Sequence, residues 1–112
     1  MKKNIGIDGS SRYLALMNGE VEVVDAYATD GIIKKFGLVM LTDDKSFFPP
    51  YYAVPIIRRE AYEEFPEVVA ILERLGRLLT NEVMVELNYQ VDELQMNPED
   101  VSRAFLQANN NP

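Results

Sequence analysis

The chain of 112 residues is long enough for one domain, and its composition, 47% hydrophobic and 26% charged, is typical of a folded protein and excludes general disorder. A net charge of −7 excludes a basic nucleic-acid-binding surface and disfavours attraction to anionic lipid surfaces. The chain contains no cysteine and no histidine, which excludes disulfides, thiolate or imidazole zinc sites, and catalytic triads built on either residue.

The first part of the chain shows strand and helix patterns in alternation. The short apolar segment of residues 4–7 predicts an entry strand. Ser10 and Ser11 predict the cap of a short amphipathic helix, which Asn18 and Gly19 end because both tolerate a positive φ. Residues 20–27 begin with strict alternation of polar and apolar side chains, the pattern of a half-buried strand.

The middle of the chain continues this alternation. Residues 29–31 (TDG) predict the cap of a helix over residues 32–36, which Gly37 ends. A continuous apolar run at residues 38–41 predicts a buried strand. Residues 51–57 predict a further strand, which Pro55 confines to an edge.

The remainder of the chain shows helical spacing of apolar side chains. Pro66 suits the first position of a helix that Gly76 would end. Thr80 predicts the cap of the next helix, and Asn97 with Pro98 predicts the start of the last one. Strand–helix units followed by three or four helices favour an α/β layer fold.

Two aromatic motifs are candidates for a ligand site. Tyr27 ends the motif Asp-Ala-Tyr at the carboxyl end of a predicted strand, where α/β sheets bind ligands. The motif FFPPYY at residues 47–52 places four aromatic residues around two rigid prolines. Aromatic faces attract organic cations, so the pattern indicates a site for a small quaternary ammonium compound. The alternative is that these aromatic side chains pack in the core.

Strand geometry separates the two tyrosines of the second motif. Successive side chains of a strand point to opposite faces, so Tyr51 and Tyr52 should not both reach one site. The paired carboxylates Asp43 and Asp44 could bind calcium, but their spacing is not that of an EF-hand, which favours a solvated turn. No nucleophile–base pair or acid–base carboxylate couple is recognisable, so we expect no enzymatic activity, no metal and no cofactor.

Several blocks in the same order resemble one known family, the substrate-binding domains of osmoprotectant ABC transporters, which bind glycine betaine, carnitine and choline. The blocks are YLAL at 13–16, NGEVEVVDAY at 18–27, TDG at 29–31, DDK at 43–45, FFPPYYAVP at 47–55, NYQV at 88–91 and NPEDV at 97–101. They cover almost the whole chain. Ala28 stands where many relatives have serine.

The resemblance implies a type II periplasmic-binding-protein fold whose two lobes close on the ligand. It implies a cage of aromatic side chains to which Tyr27 and Tyr51 contribute. Thr29 and Asp30 would lie close to the ligand, with Tyr52 as a less favoured neighbour.

Such domains are more than twice as long as this chain, so the resemblance also implies a partial, C-terminal portion. Residues 1–37 correspond to the end of lobe 2 and residues 38–112 to the end of lobe 1. The expected partners are a quaternary ammonium solute and an ABC permease subunit or fused permease domain. The expected location is the extracytoplasmic face of the cell membrane, by lipid anchor or permease fusion. Open sheet edges and an exposed apolar face would favour a homodimer that exchanges residues 1–36.

One alternative function remains from another class. A non-transport α/β ligand-sensing or interaction domain of the same fold would keep the hydrophobic pattern without needing an aromatic cage.

Overall fold

The computed structural model describes residues 5–109, which form six α-helices and one π-helical turn. In chain order these are α1 (Ser11–Met17), α2 (Gly31–Phe36), α3 (Arg59–Glu64), α4 (Glu67–Leu78), α5 (Asn81–Asn88), the π-helical turn (Tyr89–Glu93) and α6 (Pro98–Ala108). The long segment between α2 and α3 has no regular secondary structure. The predicted helical second half is confirmed.

Several helix boundaries follow local chemistry, as the sequence predicted. The Thr80 hydroxyl accepts a hydrogen bond from a main-chain amide in the first turn of α5. The side chain of Asn97 accepts from the amide of Glu99 at 2.8 Å, with Pro98 at the start of α6. Gly37 ends α2 with a φ of 59°, in the left-handed region. These three boundary predictions are confirmed.

Two boundary predictions at α4 are wrong. Gly76 lies inside this helix, which continues to Leu78, and Pro66 is its cap residue rather than its first helical residue. A glycine in a helix interior costs only about 0.5–1 kcal/mol relative to alanine. The half-buried side chains of Leu75 and Leu78 lie on either side of the glycine. Their helical spacing therefore outweighs the local stop signal.

The predicted strands do not form within residues 5–109. The segments 5–7, 20–27, 38–41 and 51–57 contain no strand, and no backbone hydrogen bond joins any two of them. Residue 4 of the first predicted strand lies outside the described residues. A strand needs a neighbour whose N–H and C=O groups pair with its own, and no such neighbour lies alongside these segments. The strands of the predicted α/β arrangement are therefore absent from residues 5–109.

The closest packing joins α2 to α5 and the π-helical turn. Among residues 5–109, the buried hydrophobic side chains are few: Tyr13, Ala15, Ile33 and Val101. Two ion pairs, Lys34–Glu86 and Lys35–Glu93, run along the same contact. This contact therefore joins the first third of the chain to the last third.

Much apolar surface remains exposed between α2 and α3. The accessible surface of the chain is 9764 Å², whereas a compact monomer of 12.8 kDa has about 6,300 Å². Six large side chains of this segment are between 77% and 92% exposed: Val39, Leu41, Phe47, Tyr51, Tyr52 and Ile56. The segment therefore has little cover from the rest of the described chain.

Candidate functional site

The rings of Tyr27 and Tyr51 lie side by side at the surface. Their centroids are 6.0 Å apart and their planes are inclined by 32°. The two side chains are 58% and 86% exposed, so most of both rings is open to solvent. Two adjacent aromatic rings form a surface that attracts a cation lying within about 6 Å of a ring centroid. We call these two residues the ring pair.

A closed turn positions Tyr27 ahead of α2. The amide of Asp30 donates to the carbonyl oxygen of Tyr27 at 3.1 Å. In return, the amide of Tyr27 donates to Oδ2 of Asp30 at 3.4 Å. Each end of the turn therefore holds the other, and the backbone that carries the Tyr27 ring is defined by Asp30.

The Asp30 carboxylate also connects this turn to α1. The hydroxyl of Tyr13 donates to Oδ2 of Asp30, and Nη2 of Arg12 lies 3.6 Å from the same oxygen. Burial, and next the hydrogen bond to Asp30, raise the pKa of Tyr13, which therefore stays protonated as a donor. Asp30 is thus engaged by neighbouring groups of the protein on several sides.

Thr29 connects the turn to α5. Nδ2 of Asn88 donates to the carbonyl oxygen of Thr29 at 2.7 Å, in a partly buried position. The next residue but one, Gly31, packs its backbone against that of Tyr89. Neither Tyr13 nor Asn88 is predicted as a site residue from the sequence. No local pattern signals either contact, because each depends on how distant segments pack.

A second turn precedes Tyr51. The carboxylate of Asp43 accepts from the amide of Phe47 at 3.0 Å and from that of Phe48 at 2.9 Å. These amide donors, that of Phe47 first, lower the pKa of Asp43. The rings of Phe47 and Phe48 meet edge to face with centroids 5.0 Å apart. This turn is therefore organised by backbone donors to Asp43.

Tyr52 differs from Tyr51 in its surroundings. Its side chain is 80% exposed and is not one of the two members of the ring pair. Of the five residues predicted for the site, the structure thus brings Tyr27, Thr29 and Asp30 together in one turn and adds Tyr51 beside them. The assignment of all five to a ligand stays a prediction.

Other features of the described chain lie apart from the ring pair. The described chain has two open concavities of about 390 Å³ each. One lies between α5 and α6, and the other lies beside Arg12 and Tyr13. Neither is lined by Tyr27 or Tyr51. Among residues 5–109, no group of three or more acidic side chains is placed to hold a metal ion. In the same range, no helix combines the length and apolar character needed to cross a membrane.

Comparison with known proteins identifies a sequence family. Residues 2–108 match the family described as the substrate binding domain of the ABC-type glycine betaine transport system. The chain is 39% identical over 101 residues to the ergothioneine transport permease/ergothioneine binding protein EgtU of Helicobacter pylori, covering 90% of this chain and 18% of that protein.

Two further relatives come from other bacteria. The carnitine transport binding protein OpuCC of Listeria monocytogenes is 39% identical over 98 residues, 88% of this chain and 32% of that protein. The glycine-betaine-binding protein of Pseudomonas aeruginosa is 36% identical over 100 residues, 89% of this chain and 32% of that protein. The chain thus spans 18% to 32% of the length of these three relatives.

Proposed function

This chain belongs to the family of substrate-binding domains of ABC-type glycine betaine transport systems, and on that premise we propose that it is part of an extracytoplasmic domain that captures a quaternary ammonium solute for import. The family has the type II periplasmic-binding-protein fold and serves transport rather than catalysis. The names of three relatives refer to ergothioneine, carnitine and glycine betaine, all of which carry a trimethylammonium group.

The observation that carries this proposal is the ring pair. A quaternary ammonium group has no N–H to donate, so aromatic faces suit it better than carbonyl oxygens do. Tyr27 and Tyr51 would supply part of an aromatic cage, with centroids 6.0 Å apart. Thr29 and Asp30 would border the ligand from the turn, and Tyr52 would flank the cage without closing it.

The proposed division into lobes assigns the Tyr27 ring to lobe 2 and the Tyr51 ring to lobe 1. Residues 1–37 would end lobe 2 and residues 38–112 would end lobe 1, so that hinge closure brings aromatic side chains together around the solute. The irregular segment that starts at residue 38 agrees with a crossover between lobes. The remaining cage residues would lie outside these 112 residues.

The proposed partner is an ABC permease on the extracytoplasmic face of the membrane. The binding domain would be held there by a lipid anchor or by fusion to the permease. The Helicobacter relative supports the second arrangement, because its name combines a permease with a binding protein.

Titration calorimetry on the complete binding protein tests the role of Tyr27. With choline, carnitine or glycine betaine, Tyr27→Ala should weaken binding by at least about tenfold, since it removes a cation–π contact. Tyr27→Phe keeps an aromatic face and is the matched control, with affinity within about threefold of the parent. Equal affinity of the parent and Tyr27→Ala would remove Tyr27 from the site.

The isolated chain provides a second test. It would present the ring pair without the rest of the cage, so we expect weak or undetectable binding of all three solutes. Micromolar binding by the 112 residues alone would contradict the proposed sharing of the cage.

We also propose that the isolated chain self-associates. Its apolar segment between α2 and α3 is exposed, and α2 packs on α5 through a contact that a second chain could supply. A dimer in which the segment up to Phe36 is exchanged would preserve that contact while covering apolar surface.

A further inference from the structure

The turn that carries Tyr27 is held from the α1 side by one shared oxygen. Oδ2 of Asp30 accepts from the hydroxyl of Tyr13 and from the amide of Tyr27. The Tyr13 ring is only 3% exposed, so its hydroxyl has little freedom to move. Because the same oxygen bonds both groups, the position of Tyr13 fixes the carboxylate to which the Tyr27 backbone is bonded.

The same turn is held from the α5 side by an amide. Nδ2 of Asn88 lies 2.7 Å from the carbonyl oxygen of Thr29, two residues after Tyr27. The ion pairs of Lys34 and Lys35 with α5 and the π-helical turn keep α2 in register along this contact. Asn88 therefore has a fixed position from which it orients the turn.

We propose that Tyr13 and Asn88 are positioning residues of the ring pair, which set its affinity for a quaternary ammonium solute by holding the turn of residues 27–31 from two sides. The inference rests on the proposed function of the ring pair. Neither residue belongs to that pair, so each acts through Tyr27. The attraction of a cation to a ring depends on its place over the ring face, and a fixed ring avoids an ordering cost when the solute binds.

Conservative variants of the complete binding protein test this inference. Tyr13→Phe removes one hydroxyl and keeps the buried ring, while Asn88→Ala removes the amide donor. Each should weaken glycine betaine or choline binding by about threefold to tenfold, since each removes one hydrogen bond of a preorganised turn. Matched controls are Tyr62→Phe in α3 and Asn81→Ala at the start of α5, because both parent side chains are exposed.

A double-mutant cycle separates positioning from general stability. If Tyr13 acts through Tyr27, Tyr13→Phe should change affinity by less than about 1.5-fold in a Tyr27→Ala background. An independent loss that persists in that background would overturn the positioning role. Thermal unfolding of each variant checks that binding is measured on folded protein. Because the two variants act from different sides of the turn, Asn88→Ala decides the outcome if Tyr13→Phe does not fold.

The outcomes distinguish this inference from the proposed function. Unchanged affinity in Tyr27→Ala would overturn the proposed function and this inference with it. Weakened binding by Tyr27→Ala, together with parental affinity in both Tyr13→Phe and Asn88→Ala, would overturn this inference alone.

Discussion

Gly31 and Tyr89 meet backbone against backbone. A methyl group on the Cα of Gly31 would lie 2.5 Å from the nitrogen of Tyr89 and 2.7 Å from its Cα. Gly31 is the first residue of α2, and Tyr89 is the first residue of the π-helical turn. The absence of a side chain at Gly31 is therefore what lets α2 begin on the end of α5.

Replacing this glycine should destabilise the chain. Gly31→Ala forces backbone atoms apart, and we expect a loss of about 1–3 kcal/mol in the free energy of unfolding, as for other overpacked sites. Gly76→Ala is the matched control, because it lies inside α4 with open space around it. That change should stabilise the chain by about 0.5–1 kcal/mol. Denaturant unfolding measures both, and a Gly31→Ala variant as stable as the parent would contradict the contact.

Tyr51 and Tyr52 form a matched pair for testing the cage. They are neighbours with similar exposure, 86% and 80%, but only Tyr51 belongs to the ring pair. In the complete binding protein, Tyr51→Ala should weaken choline or glycine betaine binding by about tenfold, and Tyr52→Ala by less than about threefold. Equal losses of affinity in the two variants, measured by calorimetry, would contradict the assignment of Tyr51 rather than Tyr52 to the cage.

The Lys34–Glu86 pair should make stability depend on acidic pH. Lys34 first, and then Gln90, lower the pKa of Glu86 from its ordinary value of 4.5. A lowered folded-state pKa means that the stabilisation is present above pH 4.5 and is lost as the pH falls through the folded-state value. Both side chains are nearly half exposed, so the contribution is below about 1 kcal/mol.

Glu86→Gln measures that contribution. The free-energy difference between the parent and Glu86→Gln should be present at neutral pH and shrink as the pH falls below 4.5. Glu99→Gln is the control, since its pair with Arg103 is more exposed, at 63% and 76%. Urea unfolding across the pH range provides the measurement. A difference for Glu86→Gln that is the same at all pH values would contradict the ion pair.

Self-association of the isolated chain should depend on the exposed aromatic side chains between α2 and α3. Phe47 and Phe48 are 81% and 70% exposed, and replacing both with serine should reduce the dimer fraction at least severalfold. Lys45→Ser, in the same turn, is the control for a polar change. Light scattering coupled to size exclusion gives the mass. A monomeric parent at micromolar concentration would argue against this proposal.

Local signals in the sequence predicted three helix boundaries correctly and failed at both ends of α4. Thr80 and Asn97 cap their helices, and Gly37 ends α2, because each effect involves only a few neighbouring residues. The predicted strands do not form within residues 5–109, because alternation describes one strand, whereas a ladder needs a second strand beside it. The π-helical turn after Asn88 was not predicted at all, since ordinary helical spacing gives no sign of it.

The candidate site shows the same division. The two aromatic motifs drew attention to Tyr27 and to the pair Tyr51 and Tyr52, and the family resemblance selected Tyr51, whose ring does lie beside that of Tyr27. The supports of the turn could not be found this way. In the sequence, Tyr13 is one of the apolar positions of α1, and Asn88 lies near the end of α5. Their roles depend on hydrogen bonds to Asp30 and Thr29, which form only when distant segments pack together.

The hydrogen bond between Asn88 and Thr29 also sets an order of events during synthesis. Thr29 leaves the ribosome well before Asn88, and contacts between distant segments form only after the loop between them has closed. The Tyr27 turn therefore acquires its second support only when α5 has emerged. A nascent chain that stopped short of Asn88 would carry both tyrosines and still lack the finished geometry.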